Sequence, residues 1–170
     1  MPLHLIVDGY NVIRQDLQLQ AMDARDLEAG RAALLEALAA YRRLHPAHKV
    51  TVIFDGWQGG ELQESRDRYQ GLAIVYSRRG ERADEVIKRL LNRERQRAVV
   101  VSSDKELQIF ARKVGAAWMA AARFAQQHLG RTKDYLEEDD EVSSPGAGKK
   151  GPARRLPKQE RRRLQRLKKL

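Results

Sequence analysis

Leu3-His4-Leu5-Ile6-Val7-Asp8-Gly9-Tyr10-Asn11 is the stretch on which the fold turns. Its first five residues are almost continuously apolar, which suits a strand covered on both faces, as in a parallel sheet. The run then stops at a carboxylate followed by glycine. Open parallel sheets bind ligands just outside the carboxyl ends of their strands, so Asp8 stands where chemistry is expected.

Outward from this segment, four more runs read as buried strands: Val50–Phe54, Leu72–Tyr76, Ala98–Val101 and Ala116–Met119. Helical spacing fills the gaps between them. Leu27, Leu34, Leu38 and Tyr41 follow the capping candidates Asp23 and Asp26, and Val86, Ile87, Leu90 and Leu91 mark a second helix. Leu107, Phe110, Ala111 and Val114 mark a third, with Gly115 placed to end it, and Ala120–Leu129 reads as a short last helix. The polar segment Glu61–Gln70 reads as a short helix or a loop. Strand and helix alternate, which predicts right-handed βαβ units and a three-layer α/β sandwich around five strands, over residues 1–130.

Beyond that point the composition changes. Residues 131–153 hold an acidic run and then a stretch rich in Gly, Ser and Pro, as in a linker. Residues 154–170 are basic, with Arg154, Arg155, Arg161, Arg162 and Arg163 among leucines 164, 167 and 170. That pattern predicts an amphipathic basic helix, formed on a partner. From Ser143 to Leu170 there are eleven Lys or Arg and one acid, so the whole net charge of +10 sits on this appendage. Such a tail suits a polyanion, and RNA is the expected one. A membrane-surface helix is the competing reading, but three leucines bury little area and no membrane partner is expected.

No cysteine is present, which excludes disulfides, zinc–thiolate sites and thiol nucleophiles. The chain shows neither a signal-peptide pattern nor an apolar run of spanning length, so a cytoplasmic location is expected. Neither GxGxxG nor a P-loop occurs, so no nucleotide cofactor is expected. The sequence leaves the oligomeric state open.

Asp8, Asp55 and Asp104 each stand at or just after a strand end, and Asp84 opens a helix in Arg82-Ala83-Asp84-Glu85. Any one of them reads as an ordinary turn former or helix cap. Four at corresponding places favour one shared crevice. Two unit charges about 4 Å apart repel by roughly 4 kcal/mol at an effective dielectric near 20, so such a set calls for a cation. Oxygen-only ligands favour Mg²⁺ or Mn²⁺, which can activate water and steady an in-line phosphoryl transition state. Asn11 is placed to orient Asp8 or a metal-bound water, and Ser102 and Ser103 to donate to Asp104 or a phosphate. Arg78, Arg79 and Arg82 are candidates for substrate phosphates, and Trp57 for stacking on a base. The four histidines show no ligand spacing.

Four segments, Ile6–Ile13, Val52–Asp55, Ala83–Ile87 and Val101–Asp104, resemble the YacP-like branch of the NYN domains, within the PIN-like nucleases. The resemblance covers roughly residues 3–129 and rests most on Val7-Asp8-Gly9-Tyr10-Asn11. It implies a PIN-like parallel sheet ordered 3-2-1-4-5 and divalent-metal-dependent endoribonuclease activity. It also implies Asp8 and Asp84 as principal metal ligands, Asp104 completing the acidic set, Asn11 supporting Asp8, and Asp55 shaping the pocket. A bacterial relative acts on messenger RNA at the ribosome, which makes the ribosome a candidate partner. The basic tail is not matched to the family. The alternatives are a non-catalytic RNA- or ribosome-binding module on the same fold and a phosphate-transfer regulator. The regulator would need paired acids after the first strand and a Lys after the last, where the chain has Asp8-Gly9 and Ala120-Ala121.

Overall fold

The structure is a computed structural model that describes residues 2–56, 61–130 and 156–170. Strand β1 (His4–Asp8) is the axis, and every residue of it is buried. β2 (Lys49–Phe54) pairs parallel to it on one side and β5 (Ala98–Val101) on the other. β4 (Leu72–Tyr76) continues the sheet beyond β2, and β6 (Ala117–Met119) beyond β5, both parallel. The chain thus winds to one side of β1 and then to the other, and the switch point falls between β1 and β5.

One further strand, β3 (Ser65–Tyr69), pairs antiparallel with the outer edge of β4. The sheet therefore has six strands in the order β3-β4-β2-β1-β5-β6, and the expected five strands ordered 3-2-1-4-5 are corrected in number and order. The segment read as helix or loop supplies the addition. Its sequence, Ser-Arg-Asp-Arg-Tyr, lacks apolar alternation because the strand lies at the rim with its central residues exposed. Charged side chains on such an edge discourage pairing with other chains.

Alternation along the strands sorts the core into two layers. Leu5, Val7, Val52, Phe54, Val99, Val101 and Met119 face one way, against α1 (Gly9–Arg14), α2 (Leu17–Arg25), α3 (Leu27–Leu44) and α6 (Ala121–His128). Ile6, Ile53, Val75 and Val100 face the other, against α4 (Ala83–Glu94) and α5 (Lys105–Val114). The helix expected after Asp23 and Asp26 begins at Leu27, capped by Asp26 through the Glu28 N–H, while α2 is a separate helix capped by Asp16. Gly115 ends α5 with φ of 81°, a left-handed conformation that glycine adopts without a Cβ clash.

The basic C-terminal segment forms α7 (Lys158–Leu167), seated on its own domain along the free edge of β6. Leu167 and Leu170 enter the first core layer. Arg163 lies with its guanidinium carbon 3.5 Å from the Trp118 ring centroid and donates to the Trp118 carbonyl at 3.2 Å. Arg166 donates to the Gly115 and Gln96 carbonyls at 2.8 and 3.1 Å. The helix thus covers an edge strand, with Arg163 satisfying a carbonyl of β6 itself and Arg166 two carbonyls in the segments entering β5 and β6.

Candidate active site

Asp8 is the last residue of β1. Strand alternation sends its side chain, with that of Ile6, toward the α4–α5 layer. Immediately beyond it the chain turns into α1, and the Phe54 ring packs so closely on Gly9 that a Cβ there would meet its Cε1 at 2.4 Å. Glycine is required at that position. The tight packing fixes where Asp8 ends.

Across the switch point, β1 and β5 run in register, with Val7 opposite Val101, which brings Ser102 beside Asp8. The Ser102 hydroxyl donates to Asp8 Oδ2 at 3.0 Å and accepts from the Asp104 N–H at 3.1 Å. Gln108 Nε2 donates to the Ser102 carbonyl, the Ser103 N–H donates to Asn11 Oδ1 at 2.8 Å, and the Ala121 N–H donates to Ser103 Oγ. Asn11 thus acts in two ways. Its side chain pins the β5–α5 loop, and its backbone N–H stabilises the Asp8 carboxylate. The two strand ends form one hydrogen-bonded unit.

Electrostatically this unit is short of positive charge. Asp8 is 8 % exposed, and burial, with a further contribution from the negative charge of Asp84, raises its pKa to about 6. The Ser102 bond, Arg14 and the Asn11 N–H oppose that rise without cancelling it. Asp84, in the first turn of α4, is half-buried, and its pKa is also raised, first by desolvation and then by Asp104. The N-terminus of a helix ordinarily favours an ionised acid, so an upward shift there marks strong desolvation and like-charge crowding. Arg82 and Lys88 offset part of it, and Lys88 also pairs with Glu106 on α5. Asp104 caps α5, its Oδ1 accepting from the Glu106 and Leu107 N–H groups at 2.7 and 3.4 Å.

Asp8, Asp84 and Asp104 therefore influence one another in a chain across the crevice. Asp55 follows β2 directly, beside Gly56, whose N–H donates to Ser77 Oγ at 2.9 Å, and it is not among the leading charges acting on Asp8 or Asp84. Among the described residues no three acidic or imidazole side chains stand close enough to enclose one ion. The donor chemistry nevertheless suits a hard cation, because a desolvated carboxylate crowded by a second one gains most from a divalent ion.

The sequence-derived substrate contacts divide. Arg82 stands exposed at the start of α4, next to Asp84. Arg78 reaches Glu81 at 3.7 Å, within an ion-pair cluster that includes Arg89 and Glu64, and the Arg79 N–H donates to the Glu61 carbonyl. Arg161 and Arg162 are exposed on α7, whereas Arg163 is engaged with Trp118. Trp57, Arg154 and Arg155 lie outside the described residues, as does the linker. Lys88 was not anticipated, although it stands four residues after Asp84 on one helix, a spacing that puts both on one face.

A mixed sheet with acids at its switch point and helices on both faces has the architecture of a PIN-like fold. Within it, the chain belongs to the YacP-like NYN domain family, which it matches over residues 5–169, well beyond the segment over which the motif resemblance was drawn and through α7. It is similar to an uncharacterized protein YacP of Bacillus subtilis, with 30% identity over 86 residues, and spans about half the length of that relative (51% of this chain, 49% of the other). Two crystal structures of Rae1 (YacP) from Bacillus subtilis share the fold. One, of a single-substitution variant, has TM-score 0.63 and 25% identity over 75% of each chain. The other has TM-score 0.61 and 27% identity over 76% of this chain and 74% of that one. Among the described residues no helix is long and apolar enough to cross a membrane.

Proposed function

We propose that the protein is a divalent-metal-dependent endoribonuclease that cleaves RNA phosphodiester bonds at the crevice between β1 and β5. The observation that carries this reading is Asp8, a buried acid raised to about 6, hydrogen-bonded to Ser102 and crowded by Asp84. The acceptor role of Asp8 toward Ser102 and the Asn11 N–H could be filled by a neutral amide without the cost of desolvating a charge. Asp8 and Asp84 are the residues that would hold Mg²⁺ or Mn²⁺, with Asp104 completing the set and Asp55 at its border. The ion, when bound, lowers the pKa of a coordinated water and neutralises charge on the phosphate. Ser102 orients Asp8, Asn11 locks the loop that carries Asp104, and Arg82 supplies positive charge to a substrate phosphate beside Asp84. The family resemblance extends this reading to messenger RNA at the ribosome in the cytoplasm.

A second reading, a non-catalytic RNA- or ribosome-binding module, is favoured by the absence of a preformed three-acid cluster among the described residues and by the exposed cations of α7. Incubation of purified protein with single-stranded RNA and Mn²⁺ separates the two. Metal-dependent internal cleavage, lost in Asp84→Asn, supports the nuclease. RNA binding without cleavage at any metal concentration supports the module.

A further inference from the structure

On the opposite side of the sheet end from Asp84 and Asp104, three aromatic rings from three successive strand ends stand in a row. Tyr10 comes from the first turn of α1, Phe54 is the last residue of β2, and Tyr76 is the last residue of β4. The Tyr10 and Phe54 ring centroids are 5.2 Å apart, and those of Phe54 and Tyr76 are 5.6 Å apart. Phe54 is fully buried and forms the floor, while Tyr10 and Tyr76 are partly exposed at the rim. Arg31 reaches over from α3. Its Nη1 donates to the Tyr10 hydroxyl at 3.0 Å, and its guanidinium carbon lies 5.8 Å from the Tyr76 ring centroid.

The partners of Arg31 make this group unusual. Among the described residues it forms no ion pair with a carboxylate, although the Glu28 charge acts on it from a distance. A half-exposed cation held in place by neutral rings keeps its charge for an incoming anion. Its fork is also positioned in advance, which suits bidentate contact with a phosphate. Beside it, the partly exposed Tyr10 and Tyr76 rings offer aromatic surface of the kind on which nucleobases stack. The position follows from Gly9. That residue separates Asp8 from Tyr10 and packs against the Phe54 ring, so the ring row begins immediately beside the acid.

We propose that Tyr10, Arg31 and Tyr76 form a nucleotide subsite that stacks one base of single-stranded RNA and grips its phosphate, next to the bond presented to Asp8 and Asp84. This rests on the RNA-cleaving reading of the crevice and adds to it a strand requirement. A base can lie on a tyrosine face only when it is unstacked from its neighbours, so paired RNA is excluded from the subsite.

The test uses the full chain carrying Asp84→Asn, with a chelator present, so that binding is read without cleavage. A short single-stranded RNA carrying 2-aminopurine at successive positions is titrated, and its fluorescence reports stacking. Quenching at one position is expected, and in a Tyr76→Leu chain that quenching disappears with Kd raised about tenfold, the scale of one lost base–aromatic stack. Tyr76→Leu keeps an apolar contact for Phe54, and Arg31→Met keeps the aliphatic stem, so both are expected to fold. Arg31→Met lowers the log–log salt slope by about 0.7, the contribution of one phosphate on a single strand. Absence of quenching, or quenching, Kd and salt slope that are the same in both variants, overturns the subsite. Cleavage by the chain with native Asp84 and Mn²⁺ is measured separately. Cleavage without position-specific quenching leaves the nuclease standing and removes the subsite, and quenching without cleavage does the reverse.

Discussion

Two regions of this molecule concentrate like charge, the crevice at the end of β1 and the helix α7, and they do so on opposite terms. In the crevice the acids are buried or half-buried, and the charge is retained at a cost that appears in the raised pKa values of Asp8 and Asp84. On α7 the cations divide into two sets. Arg163 and Arg166 satisfy an indole face and four carbonyls, whereas Lys158, Arg161 and Arg162, with Lys168 and Lys169 just past the helix, stay in solvent. A charge run on a surface helix thus mixes structural and available groups, while the acids of the crevice are desolvated and crowd one another. Burial, not the number of charges, separates the two cases.

The largest effect that would break this contrast concerns activity. Asp8→Asn and Asp84→Asn are each expected to lower RNA cleavage by at least about a hundredfold, because losing a metal ligand removes several kcal/mol of transition-state stabilisation. Circular dichroism should show both variants folded. Retention of a tenth of native activity in both would return the acids to the role of caps.

Next in size is the loss of α7. Truncation after Glu141 removes two leucines from the core and uncovers the edge of β6, so it is expected to lower the melting temperature clearly as well as weaken RNA binding. Burial of each leucine contributes about 1.5–3 kcal/mol before the entropy of ordering the tail is set against it. An unchanged melting temperature would mean that the helix is only a tether. Arg163→Ala alone should cost about 1 kcal/mol, the scale of a partly desolvated cation–π contact.

A third prediction turns on proton linkage at Asp8. Its folded pKa, about 6, lies above the unfolded value, so between those pH values the folded state holds more protons than the unfolded one. Stability of the metal-free protein from this group is therefore fully present below the unfolded pKa and is lost as pH rises to about 6. Asp8→Asn should remove that loss and raise metal-free stability at pH 7 by about 1–3 kcal/mol, read from urea unfolding at pH 5 and pH 7. A native chain that gains stability over this interval while the variant does not would contradict the assignment.

The smallest expected effect sharpens the division within α7. Arg161→Ala with Arg162→Ala should leave stability within about 0.5 kcal/mol, because neither side chain is buried. It should flatten the salt dependence of single-stranded RNA binding by about 1.4 log–log units, with turnover at saturating substrate unchanged.

The sequence made the placement of the crevice acids legible because each sits by a pattern the chain displays locally, the end of a buried strand or the start of a helix. Asp8 and Asp104 could be placed from the hydrophobic runs before them, and the in-register pairing of β1 with β5 then brings Ser102 beside Asp8. β3 was not legible, since a charged rim strand with only its ends half-buried carries no period-two signal. α2 was hidden for a similar reason, with Leu19 its one buried residue. The seating of α7 escaped because it depends on Arg163 meeting Trp118, a contact between residues far apart in the chain that no local pattern encodes. Arg31 and Tyr76 were missed likewise, each unremarkable until the fold brings it to the aromatic row.

Burial and the Asp84 charge raise the pKa of the Asp8 carboxyl in the metal-free protein, and in the proposed function a divalent cation is the partner that relieves this. Following the Asp8 side-chain carboxyl carbon by NMR through a pH titration, with and without saturating Mg²⁺, tests this most directly. Without metal, a midpoint near the raised value of about 6 is expected, and Mg²⁺ should pull it below the ordinary aspartate range, with Asp84 moving in the same direction. An Asp8 midpoint that Mg²⁺ leaves unmoved, at concentrations that support cleavage, would contradict the account.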